Sequence, residues 1–503
     1  MSGELLIVTA LRSEYAALRG QVGSATVTRC GMGPARVQNW LPQLARFAPG
    51  AVAVAGVGGG LDPKVRAGDV VVASEVRDAE GRRVLRGAGP LVAELRRLGL
   101  QVHHGPVVST DHIVTSAAER EKLAATGALA VDMESAAVVR ALGSDAAPPT
   151  AVVRVIVDTA YTPIARLATL RAGAKALQVL RRVGPALPHW AGLAGPRQVL
   201  LASPRSFCAG VERAIEIVEL ALQRYPRPVY VRRQIVHNAH VVADLQRQGA
   251  VFVDELDEVP DGTTVVFSAH GVAPAVRLEA QRRGLNIIDA TCPLVTKVHS
   301  EAKRFVGRGD TVFLVGHAGH DETEGTLGEE PGRIQLVQNP GEAEAVVVAD
   351  PDHVAYVLQT TLAIDDAQDT IDVLRRRFPA IEMSPTDDIC YATTNRQRAV
   401  GAIARDADVM IVLGSSNSSN SLRLVEVAER LGTPAHLVDD ATGVLPEWIA
   451  GARSIAVTAG ASAPPRLVDE FVATLRALGP VDVAERVVAT ETLTFTLPRG
   501  VVG

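Results

Sequence analysis

Short runs of consecutive aliphatic residues recur along the whole chain, each followed by a stretch with helical patterning. Leu5-Leu6-Ile7-Val8, the run AVAVA at 51–55, Val70-Val71-Val72, the run VFLV at 312–315 and the run MIVL at 410–413 are examples. A strand that is apolar at every position offers no face to water, so it belongs in a sheet covered by helices on both sides. The expected class is therefore α/β. At 503 residues the chain exceeds what one ordinary core organises, and two or more domains are expected. Residues 5–9 and 198–202 open two similar strand–turn–helix segments. Between them, PALPHWAGLAGPR at 185–197 is rich in Pro, Gly and Ala and has neither strand nor helix periodicity. It reads as a linker. The predicted division is a domain over 1–185, a linker over 186–197 and a second domain over 198–503.

Composition excludes several functions. A net charge of −5 gives no general affinity for nucleic acid, whose binders carry a basic stripe. Aromatic residues are only 4% of the chain, too few for base-stacking platforms. No apolar run reaches the roughly 18–20 residues that cross a bilayer. Residues 1–10 lack the basic start and small-residue cleavage site of a secretory signal. A cytoplasmic protein with no membrane span is expected.

Of the four cysteines, Cys208, Cys292 and Cys390 share a context: each follows a strand-like or turn segment and precedes a helical one. They are separated by 84 and 98 residues, about one small α/β lobe each. Three lobes, each bringing one thiol to the start of a helix, can converge on one centre. A helix amino terminus lowers a thiol's pKa and so favours the thiolate that a metal needs. Spacing alone fits an iron–sulfur cluster with three Cys ligands and a zinc site of three Cys and one His equally well.

Nine ordered blocks of the second half carry a family resemblance. They are SPRSFCAGVERAIEIVE from Ser203, IVHNAHVVADL from Ile235, FSAHGVAPAVR from Phe267, DATCPLVTKVH from Asp289, GHAGHDETEGTLG from Gly316, QTTLAIDD from Gln359, DDICYATTNRQ from Asp387, GSSNSSNSLRLVEVAE from Gly414 and VTAGASAP from Val457. Together they resemble the 4-hydroxy-3-methylbut-2-enyl diphosphate reductases, the IspH or LytB family. The resemblance implies three pseudo-symmetric α/β lobes around one [4Fe-4S] cluster held by Cys208, Cys292 and Cys390. It implies an allylic diphosphate substrate held by His237, His270, His320, Thr360, Ser418, Ser419, Asn420 and Ser462. Glu322 matches the proton-delivering acid, relayed through Thr360, and a ferredoxin or flavodoxin is the usual electron donor. The pair His317 and His320 also has an H-x₂-H zinc spacing, but the family block accounts for the whole stretch. Three positions depart from the family: Ser206 stands for a usual Gly, Ser416 for a usual Lys and Leu422 for a usual Asn.

The first half is similar to the nucleoside phosphorylase and nucleosidase superfamily, most of all to its hopanoid-associated bacterial branch. The resemblance rests on VTALRSEYAAL, CGMGPARV, VAGVGGGLDPKVRAGDVVVAS, VDMESAAV and VVRVIVDTA. It implies cleavage of a purine nucleoside. Glu14 matches the water-activating acid, Met133 and Glu134 the ribose site, and Asp158 the acid that protonates the departing purine. Residues 56–60 (GVGGG) read as a glycine-rich turn after a strand, suited to close approach of ribose or phosphate. Val57 stands where the family usually has Ser, and Arg12 is a candidate phosphate contact. Many such relatives self-associate, so a homo-oligomer through this domain is implied. The alternative is a non-catalytic nucleoside sensor or scaffold joined to an active reductase.

Overall fold

The computed structural model describes residues 4–44, 46–143, 147–159, 166–362, 364–384 and 388–501. Ala160, Ala363 and Asp387, which belong to motif blocks above, lie outside them. The chain is α/β throughout and forms two compact units. One comprises Met1–Val199, Asp440–Ile455 and Asp469–Val483; the other comprises Leu200–Asp439, Ala456–Val468 and Ala484–Gly503.

In the first unit, strands run in the order Thr26–Arg29, Leu5–Thr9, Ala51–Gly60, Ala130–Asp132, Val102–Ser109, Val70–Asp78 and Gly81–Val84. Thr150–Asp158 pairs with Ala51–Gly60 on one side and with Val70–Asp78 on the other, so five strands close into a ring. Small Val and Ala side chains such as Val52, Val54, Val71 and Val152 fill the core beside this ring, all fully buried. The GVGGG segment is not a turn: it continues the strand Ala51–Gly60. Glycine is needed there because a Cβ on Gly56 would lie 2.5 Å from Glu14 Oε1 and 2.6 Å from Arg154 Nη1. The glycines admit a charged cluster against the strand.

The segment expected as an irregular linker also differs. Ala186–Ala191 forms a helix whose Trp190 is fully buried and donates from Nε1 to Gly87 O at 2.8 Å. Six residues are too few to display a 3.6-residue period, and Pro188 falls in the first turn, where no intrahelical donor is required. In this unit, helix Gly89–Arg97 packs on Ala441–Gly443, and a Cβ on Gly89 would meet Ala441 O at 2.8 Å.

Three further sheets, the first two wholly within the second unit, mark three lobes that repeat one topology. The first sheet has the order Ala250–Val253, Val229–Arg232, Thr264–Phe267, Asn286–Asp289, and all its pairings are parallel. The second has the order Ile334–Val337, Thr311–Val315, Val354–Leu358, Glu382–Met383, again parallel. The third has the order Ala435–Val438, Val409–Leu413, Ser454–Ala459, Arg197–Ser203, Val481–Val487. In chain order within a lobe this is second, first, third, fourth strand. The third lobe takes its fourth strand from Arg197–Ser203. Cys208 therefore belongs topologically with the last lobe although it is the first of the three thiols in sequence.

Candidate active site

In a sheet of this order the connections leave the first and third strands in opposite directions, which opens a crevice at their carboxyl ends. The loops and helix starts after the first strands carry His237 in one lobe, His320 and Glu322 in the second, and Ser418, Ser419 and Asn420 in the third. Those after the third strands carry His270, Thr360 and Ser462. Those after the fourth strands carry Cys292, Cys390 and Cys208. All twelve residues line a single cavity.

Each cysteine immediately precedes a helix: Ala209–Arg224, Pro293–Gly307 and Tyr391–Ile403. The expected lowering of the thiol pKa is not found. Burial pushes Cys292 up to about 12 and Cys390 up to about 11, and it raises Cys208 as well. The cost of an unpaired anion out of water exceeds the help from a helix end. Bound metal would supply the compensating charge. The space between the thiols is kept clear, since a Cβ on Gly210 would lie 2.8 Å from Cys292 Sγ and 3.9 Å from Cys208 Sγ. Three soft donors lining one cavity suit an iron–sulfur cluster.

The polar end of the cavity holds three imidazoles. His237 and His270 stack at 4.0 Å between ring centroids, and His320 meets them edge-on at 5.3 and 5.8 Å. Burial lowers the pKa of all three, to about 4 for His320. Without a ligand, burial thus favours their neutral forms. His237 Nε2 and His270 Nδ1 are buried without a hydrogen-bond partner. His320 Nδ1 accepts from Glu322 N at 3.2 Å, so this nitrogen caps the helix Asp321–Leu327. On the third lobe, Ser418 caps helix Ser419–Arg430, whose first turn contains Ser419 and Asn420. That amino terminus favours an anion. Ser462 Oγ donates to His237 O at 2.9 Å, and Asn420 Oδ1 accepts from Ala461 N at 2.8 Å. These bonds fix the loops against one another.

Glu322 is buried, and burial pushes its carboxyl up to about 7. Its oxygens accept from Thr360 N at 2.7 Å and meet Thr360 Oγ1 at 3.0 Å. A carboxyl that is half protonated near neutrality, bonded to a hydroxyl in the same cavity, is equipped to move a proton.

Ser206 explains its own departure from the family pattern. Its φ is 62°, a left-handed conformation, and its hydroxyl is buried without a partner. The carbonyl of Ser206 is held by Arg396, from Nη2 at 2.6 Å and from Nε at 3.0 Å. The loop leading to Cys208 is thus pinned in a shape that suits glycine. Ser206→Gly is expected to stabilise the protein by about 1 kcal/mol, the left-handed penalty less glycine's entropy in the unfolded chain. Chemical denaturation checks this. Ser416 and Leu422 are exposed and do not line the cavity.

In the first unit a second cavity collects Glu14, Met133, Glu134 and Asp158, with Val57 and the glycine strand along one wall. Glu14 accepts from three backbone amides: Ala10 N at 2.9 Å, Leu11 N at 2.7 Å and Val57 N at 2.8 Å. Glu134 lies 2.8 Å from Arg154 Nη2, and burial pushes it up to about 8. The fully buried Arg154 also holds Asp132, from Nε at 2.7 Å. Asp158 is paired with Arg120, whose guanidinium also donates to Val114 O at 3.1 Å. Arg120 was missed from sequence, because a lone Arg in a helix 38 residues from Asp158 carries no local signal. Arg12 is exposed and outside this cavity.

Fold and site together define a three-lobed α/β protein whose lobes deliver three thiols and a ring of polar groups to one chamber. A family model described as LytB protein matches residues 199–476, and one described as Phosphorylase superfamily matches 8–183. The chain belongs to the LytB family, with a phosphorylase-superfamily region preceding the LytB part. It is 56% identical over 323 residues to 4-hydroxy-3-methylbut-2-enyl diphosphate reductase 2 of Mycobacterium bovis, covering 63% of this chain and 98% of that protein. It is 57% identical over 302 residues to the 4-hydroxy-3-methylbut-2-enyl diphosphate reductase of Azoarcus sp., covering 60% of this chain and 97% of that protein. The solved structure of the E-1-hydroxy-2-methyl-but-2-enyl-4-diphosphate reductase from Plasmodium falciparum matches with a TM-score of 0.59 at 35% identity, over 61% of this chain and 98% of that one. Among the described residues, no helix is long and apolar enough to cross a membrane.

Proposed function

We propose that residues 198–503 reduce 4-hydroxy-3-methylbut-2-enyl diphosphate to isopentenyl and dimethylallyl diphosphates, consuming two electrons and two protons and releasing water. The observation that carries this reading is the meeting of three cysteines and nine polar residues in one cavity. Cys208, Cys292 and Cys390 would hold a [4Fe-4S] cluster, which supplies the electrons and a Lewis-acidic iron. His237, His270, His320, Ser418, Ser419, Asn420 and Ser462 bind the diphosphate, and its charge draws protons onto the neutral imidazoles. Thr360 orients the hydroxyl end of the substrate. Glu322 holds a proton and passes it through Thr360 Oγ1 towards the departing hydroxyl. The cavity walls Val236, Ala269 and Val295 keep water from the allylic chain. A small ferredoxin or flavodoxin is the electron donor. Anaerobic turnover of the allylic diphosphate with a reduced one-electron donor tests the reading.

The region over 1–185 cleaves a purine nucleoside: Met133 and Glu134 hold the ribose, Asp158 protonates the purine and Glu14 positions the attacking water. A second reading, binding without turnover, is favoured by the full use of Glu14 by backbone amides and of Asp158 by Arg120. The test uses the full chain, since residues 440–455 and 469–483 belong to the same compact unit. Purine release should fall by about 10²–10³-fold in Asp158→Asn, the size of a lost general acid, while reductase activity is unchanged. Nucleoside binding with no release in the wild type favours the second reading.

A further inference from the structure

We infer that Arg233 is a diphosphate-binding residue held in reserve by Asp321, a specificity determinant at the mouth of the reductase cavity. The inference rests on the reductase reading above. Arg233 follows the strand Val229–Arg232 in the first lobe, with φ 57°. Its guanidinium pairs with Asp321, with Glu324 at 2.7 Å and with Glu255 at 3.1 Å. Asp321 and Glu324 belong to the helix Asp321–Leu327 of the second lobe, so the arginine ties two lobes together. It lines a polar groove that also contains Asp321 and that shares His237 and His320 with the site cavity.

Asp321 is a paradox at an anion site. Its Oδ2 lies 3.8 Å from both His237 Nε2 and His270 Nδ1, the two buried nitrogens that lack partners. A carboxylate there repels an arriving diphosphate unless its charge is neutralised. Arg233 neutralises it in the empty site, and the guanidinium fork fits phosphate oxygens as well as carboxylate oxygens. When the diphosphate binds, Arg233 exchanges one of its carboxylate partners for a phosphate oxygen. Asp321 then faces imidazoles that the phosphate has helped to protonate. Each charge keeps a partner in both states.

Titration calorimetry with inorganic diphosphate on the full, iron-loaded chain tests this, beside steady-state kinetics. Arg233→Gln should weaken diphosphate binding and raise KM by roughly ten- to a hundredfold, the worth of a lost charge-assisted pair, with kcat within about threefold. Asp321→Asn should tighten binding, because the arginine is released. The double variant should bind more weakly than Asp321→Asn by about the factor that separates Arg233→Gln from wild type. A double variant as tight as Asp321→Asn would reduce Arg233 to a counterion and overturn the inference, as would unchanged binding in Arg233→Gln or weaker binding in Asp321→Asn. Wild-type protein that neither binds diphosphate nor turns over would overturn the reductase reading itself, and the inference with it.

Discussion

Cys292→Ser should abolish reductase turnover, by at least about a thousandfold, and lose bound iron and acid-labile sulfide together. Serine preserves the volume and the backbone of the Pro293–Gly307 helix start, so the fold should persist, with an unchanged circular dichroism spectrum. The loss follows from electronics: a buried hydroxyl ionises even less readily than the buried thiol, which is itself pushed up to about 12. Only a soft, polarisable thiolate retains iron there. Iron and sulfide analysis of anaerobically purified protein reads the result directly. Full iron retention would remove Cys292 from the proposed ligand set.

Glu322→Gln should lower kcat by about 10²–10⁴-fold while leaving diphosphate affinity nearly unchanged. Glutamine still accepts from Thr360 N, and its amide can donate to Thr360 Oγ1, so the local structure survives. It has no proton to give. The wild-type pH profile carries the complementary signature. Burial pushes Glu322 up to about 7, so the acid form predominates below that pH and is lost above it. The rate should therefore decline as pH rises through about 7, and the residual rate of the variant should lack that limb. A variant that retains the same limb would assign it to another group.

The candidate site was unusually legible in sequence, for identifiable reasons. The cysteines announced themselves because each ends a strand-like segment and begins a helix, a local pattern. The polar residues that share the cavity lay in ordered blocks that carried the family resemblance. Arg233 and Asp321 were not legible: their significance is a contact between lobes, 88 residues apart in the chain. Arg120 escaped for the same reason. The GVGGG segment was misread as a turn because glycine signals both turns and close approach, and only the neighbouring Glu14 and Arg154 decide between them. The helix Ala186–Ala191 was too short to show its period.

Sequence alone determined the α/β class, since fully apolar strands can rest only between layers of helices, and it determined which side chains stand at the ends of those strands. Tertiary structure decided the rest. It set the strand order that opens each crevice, and it brought Arg197–Ser203 from the start of the region to complete the last lobe. It also biases the protonation of the site: burial shifts its thiols and imidazoles towards their neutral forms, because it removes the solvent that would stabilise their charge.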